Sequence, residues 1–280
     1  MKILKTIQEL TDFRNTLKSS SSLEKNKIGF VPTMGALHQG HISLIKKSVL
    51  ENEITIVSIF VNPTQFLEGE DFEKYPKRYE ADIKICELAN VDALFMPSVQ
   101  TMYFKDEPLI LAPAKSSFVL EGFKRPGHFD GVLRVVLKLF NLVKPTNAYF
   151  GKKDAQQLFL LQNMVQTLFL DVNIIPCEIV RDEYGLALSS RNVYLSEVEK
   201  QKALSISKSL KIASREVMQG NLDATSIKAK MQEIMCDIEV EYIEIVSRDF
   251  QKLDMLQIKN SIILVAAKVG TTRLIDNIWI

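Results

Sequence analysis

The apolar positions of this chain fall into two rhythms. Short runs rich in β-branched and aromatic residues, IGFV (28–31), ITIVSIFV (54–61), ALFM (93–96), NAYF (147–150) and VNIIPCEIV (172–180), are nearly unbroken. That is the pattern of strands covered on both faces. Between them, apolar residues return every three or four positions over 41–52, roughly 74–90, 129–143 and 154–169. Leu133, Val136, Leu137 and Phe140 show the spacing of a helix with one buried stripe. Strand–helix alternation over this length predicts an α/β fold, a Rossmann-like doubly wound parallel sheet. Ligands bind beyond the carboxyl ends of such strands, so reactive residues should directly follow the apolar runs.

Past residue 180 the rhythm changes. Ser196 and Glu199 carry the spacing of a capping box, which opens a helix near 197–219. Asn221 to Asp223 interrupt it, and a second helix runs to about Cys236. VEYIEIVS (240–247) and SIILVAAKV (261–269) then read as antiparallel strands. The expected division is a Rossmann-like domain over 1–180 and a smaller α+β domain over 181–280. The serine run at 19–22 reads as a solvated loop, and no internal repeat is seen.

Composition removes several function classes. Lys plus Arg (35) nearly balances Asp plus Glu (34), and basic residues occur only as short doublets such as Lys46-Lys47. Nucleic acid, which calls for a basic stripe, is therefore not the expected partner. No run approaches the length of a membrane-crossing helix, and the charged MKILKTIQELTDFR lacks the apolar centre of a signal peptide. Three cysteines without a C-x-x-C predict free thiols in a reducing compartment, so a cytoplasmic protein is expected.

Five motifs carry candidate chemistry. The first, FVPTMGALHQGHISLI, follows the strand 28–31 and holds two of the three histidines, His38 and His41, around Gly40. Gly35 is expected to leave room for a ligand to approach the backbone. A helix start offers N–H groups and partial positive charge to phosphate, and imidazole N–H groups can reach the same oxygens. A purely structural helix cap, or a metal shared by the two rings, would explain the pair otherwise. In SIFVNPTQF, Asn62-Pro63 closes a strand and leaves Asn62 and Gln65 at the sheet edge, where neutral amides can bind hydroxyls or carboxylates. RPGHFDGV supplies the third histidine, His128, ahead of a helix with Asp130 in its first turn, where an acid suits a cap. YFGKKDAQQL again follows a strand, and one of Lys152 and Lys153 can serve a triphosphate while its neighbour diverges. LALSSRNVYLS offers Ser189, Ser190 and the Arg191 guanidinium as a phosphate clamp.

Together the motifs PTMGALHQGH, FVNPTQF, RPGHFDGV, FGKKDAQQL and LSSRN resemble, in order and across essentially the whole chain, the pantothenate synthetase family, within the H-x-G-H nucleotidylyltransferases. The resemblance implies ATP-dependent joining of pantoate to β-alanine through a pantoyl adenylate, with Mg²⁺ assistance, in a homodimer with a C-terminal lid. It implies that His41, helped by His38, is the general acid or the hydrogen-bond donor to phosphate, and that Lys153 and Arg191 take the phosphates. Met34, Gly35, Ala36, Leu37, His38, Gln39, Gly40 and His41 would line the ATP site with Gly151, Lys152, Lys153, Asp154, Val180, Leu188, Ser189, Ser190 and Arg191. Asp154 or Gly151 would meet the ribose. Gln65 and Gln157 would hold pantoate, with Asn62 and His128 in the substrate site, and Asp82 would lie at the magnesium. Lys152 stands where the family often has Glu, and Leu188 where Met is frequent. The rival reading is a nucleotidylyltransferase acting on a small phosphorylated substrate, which would keep the nucleotide in its product. A non-catalytic nucleotide-binding module is the other.

Overall fold

A computed structural model of the protein describes residues 1–19 and 27–280. Six parallel strands form one sheet: β1 (Lys2–Leu4), β2 (Ile28–Thr33), β3 (Ile54–Ile59), β4 (Ala93–Phe95), β5 (Asn147–Gly151) and β6 (Asn173–Cys177), in the order β1-β4-β3-β2-β5-β6. The helices between them are α1 (Ile7–Ser19), α2 (Gln39–Glu51), α3 (Tyr79–Leu88), the short α4 (Val99–Met102), α5 (Ala114–Ser117) and α6 (Leu120–Lys124), then α7 (His128–Val143) and α8 (Ala155–Thr167). The expected doubly wound sheet is present. Its strands read as unbroken apolar runs because both faces are covered: Phe30, Val31, Ile56, Val57, Leu94, Ala148 and Tyr149 are fully buried.

Differences from the sequence pattern have local causes. β1 is only three residues long, too short to register as a run, and pairs with β4. α3 begins at Tyr79 rather than near 74, because Pro76 disfavours helix at the residue before it. Ser19 ends α1, and the rest of the serine run lies outside the described residues.

The chain divides into two compact units, Met1–Lys152 with Leu160–Cys177, and Lys153–Phe159 with Glu178–Ile280. The segment 153–159, expected with the first domain, thus groups with the second. The second unit contains α9 (Glu197–Met218), α10 (Ala224–Ile234) and an antiparallel sheet of β7 (Glu239–Ser247), β8 (Ser261–Val269) and β9 (Thr272–Trp279). The Ser196–Glu199 capping box is formed as expected. Ile206, Leu210, Ile227, Met231, Ile245, Ile263 and Val265 make its separate core.

Candidate active site

The strand order reverses between β2 and β5: the chain winds outward from β2 through β3 and β4, then returns to β5 on the other side. β2 pairs with β3 along its whole length, to Thr33 opposite Ile59, but pairs with β5 only at Gly29 and Phe30. Pro32, which has no N–H to donate, lies just beyond the last of these pairs. The two strands therefore part toward their carboxyl ends, and a crevice at such a switch point is where α/β sheets bind ligands. Three motifs leave neighbouring strands here: the histidine loop from β2, FVNPTQF from β3 and Gly151-Lys152 from β5.

The histidine pair does form the helix cap that sequence alone set against phosphate binding. Nδ1 of His38 accepts the Gly40 N–H at 3.1 Å, and Nδ1 of His41 accepts the His38 N–H at 3.3 Å. The rings lie 4.1 Å apart. Because each Nδ1 is an acceptor, a neutral ring carries its proton on Nε2, so both imidazoles are donors at their outer nitrogen. The intervening glycine follows from the same geometry: a Cβ at position 40 would sit 2.8 Å from Cε1 of His38. Capping and donation are thus compatible roles.

Asp82 braces this loop from below. It is 1% exposed, and its two carboxylate oxygens accept the Ala36 and Leu37 N–H groups at 2.9 and 2.8 Å. Gly35 (φ +85°) and Ala36 (φ +50°) adopt left-handed backbone to aim those donors. The space that Gly35 was expected to leave for a ligand is taken by Asp82 and Ile59, at 3.0 and 3.1 Å from its would-be Cβ. Through these two bonds the acid holds the backbone that leads to His38.

Asn62 and His128 are both tied into hydrogen-bond networks within the protein. Asn62 is 1% exposed; its amide donates to Gln65 Oε1 (3.0 Å) and the Gly131 carbonyl (3.1 Å), and its oxygen accepts the Tyr103 hydroxyl at 2.6 Å. The Gln65 amide is thereby turned so that its NH₂ meets the Met34 sulfur at 3.0 Å. Tyr103 carried no sequence signal; its ring is held under Lys138 and Arg134, both paired with Glu107. Nε2 of His128 accepts from Arg125, and its Nδ1–H donates to the Gln65 carbonyl at 2.8 Å. Arg125 grips Glu70 through two bonds of 2.6 and 2.7 Å. RPGHFDGV is therefore a clamp on the loop after β3, and α7 packs so closely there that a Cβ on Gly131 would lie 2.2 Å from the Thr64 carbonyl oxygen. Asp130, expected as a cap, accepts the Ala112 N–H at 2.7 Å instead.

Burial, and after it the Arg125 charge, push the His128 imidazole down to about 4. An unfolded histidine protonates near 6.5. Between those values the unfolded state binds the extra proton, so stability falls as pH drops and is intact above about 6.5. Denaturant titrations at pH 7 and 4.5 should show His128→Asn losing about 2–3 kcal/mol less than the wild type across that interval. An equal loss in both proteins would contradict this role.

In the second unit, Arg181 forms a two-bond ion pair with the buried Asp276 (2.6 and 2.9 Å) and donates to the Gly185 carbonyl. It secures a hairpin in which the Leu188 N–H meets the Val180 carbonyl at 3.0 Å. The Ser189 hydroxyl caps the 3₁₀ turn Ser190–Tyr194 by accepting the Arg191 N–H. Asn192, which sequence reasoning passed over within LSSRN, ties that turn to the Ala187 carbonyl. Lys153 and Asp154 lie in the 3₁₀ turn Lys152–Asp154, and Gln157 is on the first turn of α8; all three belong to this unit.

A parallel doubly wound sheet with polar loops at its switch point is the frame of an α/β nucleotide-using enzyme. The chain belongs to the pantoate–β-alanine ligase family, whose model matches residues 2–279. It is 58% identical to the pantothenate synthetase of Campylobacter curvus over 280 residues, the whole of both chains. The crystal structure of pantothenate synthetase from Thermus thermophilus is 37% identical, with a TM-score of 0.92 over 100% of this chain and 99% of that one. The Francisella tularensis pantoate–β-alanine ligase, complexed with β-γ ATP and β-alanine, is 39% identical, with a TM-score of 0.80 over 100% and 97%. The chain is a ligase that joins pantoate to β-alanine using ATP.

Proposed function

We propose that the ligation runs through a pantoyl adenylate formed at the carboxyl edge of the sheet. The pantoate carboxylate attacks the α-phosphorus of ATP, and pyrophosphate leaves with the bond's electron pair. The β-alanine amine then adds to the acyl carbon and loses a proton, and AMP departs as the amide forms. A carboxylate is a poor electrophile, so the adenylate supplies the leaving group, while the protein supplies position and charge stabilisation. The observation that carries this reading is the parting of β2 and β5, which sets the histidine loop and Gly151-Lys152 beside one crevice.

In this reading Nε2–H of His41, aided by that of His38, donates to phosphate oxygens as charge builds on them. Lys153 and Arg191 bind the phosphates, and Gln65 and Gln157 hold pantoate. The remaining residues of 34–41, Gly151 to Asp154, Val180 and Leu188 to Ser190 line the ATP. Magnesium is a different matter. Asp82, the ligand expected from family resemblance, has both oxygens on backbone amides, and no three His, Cys, Asp or Glu cluster as a metal site among the described residues. The side chains do not fit a protein-built magnesium cage, and no step here is routed through one.

With ATP and pantoate alone the protein should release pyrophosphate; AMP should follow only when β-alanine is added. AMP at an undiminished rate without β-alanine, or a nucleotide retained in the final product, would overturn the scheme in favour of nucleotidyl transfer. The assembly we propose is a homodimer. It is supported by Phe104, Leu109, Leu111, Phe118 and Phe123, which are 65–72% exposed within one short stretch, more apolar surface than a monomer normally leaves to water. Sedimentation should give twice the 31.8 kDa chain mass, and a monomer at micromolar concentration would count against it. A cytoplasmic location is consistent with three free cysteines, and among the described residues no helix is long and apolar enough to cross a membrane.

A further inference from the structure

We propose that Asn277 is a positioning residue for the adenylation step, holding Lys153 in register with the arm that carries Arg191. The inference rests on the assignment of Lys153 to the ATP phosphates given above. Asn277 is 1% exposed on β9, and its Nδ2 donates to the Lys153 backbone carbonyl at 2.8 Å, 124 residues away in sequence. Its neighbour Asp276, 4% exposed, takes the two-bond ion pair from Arg181. Asp276 Oδ1 also accepts the Asn277 N–H at 2.8 Å.

Two consecutive residues of one strand thus hold the roots of two segments: the turn Lys152–Asp154 through Asn277, and the hairpin leading to Ser189–Arg191 through Asp276. Adjacent residues of a strand send their side chains to opposite faces, so one dipeptide can serve two segments at once. A second contact ties the 153–159 segment to the same unit, the stacking of Phe159 on Phe250 at 5.1 Å between centroids. Neither contact sets the direction of the Lys153 side chain alone. The Asn277 bond fixes the backbone from which that side chain projects, and misplacement by about 1 Å costs up to roughly 10²-fold in rate.

The test is a double-mutant cycle on pyrophosphate release from ATP and pantoate. Asn277→Ala should lower the single-turnover rate of pyrophosphate release roughly 10- to 100-fold, while the KM for β-alanine in the complete reaction and the fraction folded stay unchanged. In a Lys153→Ala background the same substitution should change the rate less than about threefold, since two residues acting through one group do not add. If Lys153→Ala alone leaves the rate unchanged, the assignment of Lys153 fails. If Lys153→Ala is impaired but Asn277→Ala is not, or the two losses multiply in full, the role of Asn277 fails. Should Asn277→Ala not fold, Asn277→Asp keeps the side-chain volume, removes the donor, and is read in the same way.

Discussion

Replacing His41 by alanine should lower pyrophosphate release from ATP and pantoate by about 10²–10³, the usual cost of losing one aimed donor to a developing charge. The fold should persist, because the cap bond lost with the ring is worth about 1 kcal/mol. His41→Gln separates the two roles that the ring combines. Glutamine is the residue that ordinary capping boxes place at this third helical position, so its side chain can restore the bond to the His38 N–H. Its longer, differently directed amide cannot also put a donor where Nε2 stands. Melting temperature should therefore recover in His41→Gln while the half-reaction stays impaired. Recovery of both would leave the histidine with a structural role alone.

Asp82→Ala should destabilise the protein by about 2–4 kcal/mol, since it strands two half-buried N–H groups, each costing about 1–2 kcal/mol. The Ala36 and Leu37 amides would lose their acceptor, and the left-handed backbone at Ala36 would lose what holds it. Activity should fall with it, because the histidines are next in the chain. A magnesium ligand would behave differently: excess Mg²⁺ would restore much of the rate. The anchor role predicts an unchanged magnesium dependence in Asp82→Asn, which keeps one acceptor oxygen. Rescue by Mg²⁺ would return Asp82 to the metal.

The parallel sheet was legible because strands covered on both faces leave unbroken apolar runs, and β2 to β6 each left one. β9 left none. Asp276 and Asn277 interrupt its pattern; both are buried, Asp276 against Arg181 and the Asn277 NH₂ against the Lys153 carbonyl, partners from far along the chain. The motifs were legible as places, since each follows a strand, and the family they resemble is the one to which the chain belongs. What sequence could not show was which polar groups are already satisfied. Asp82, Asn62 and His128 look available for ligands when written in a row, yet each has a partner from a segment 41 to 69 positions away. Their burial is a property of the assembled fold, and no local spacing encodes it. The glycine of H-x-G-H was legible as a motif position, whereas its cause, the overhanging His38 ring, was not.

The reciprocal bonds between the two imidazoles and the first turn of α2 make that turn and those rings one mechanical piece. If the turn frays, both rings swing out with it. Deuterium uptake at the His38 and Gly40 amides, whose hydrogens the rings themselves shield, therefore reports how often the histidine loop opens in the resting protein.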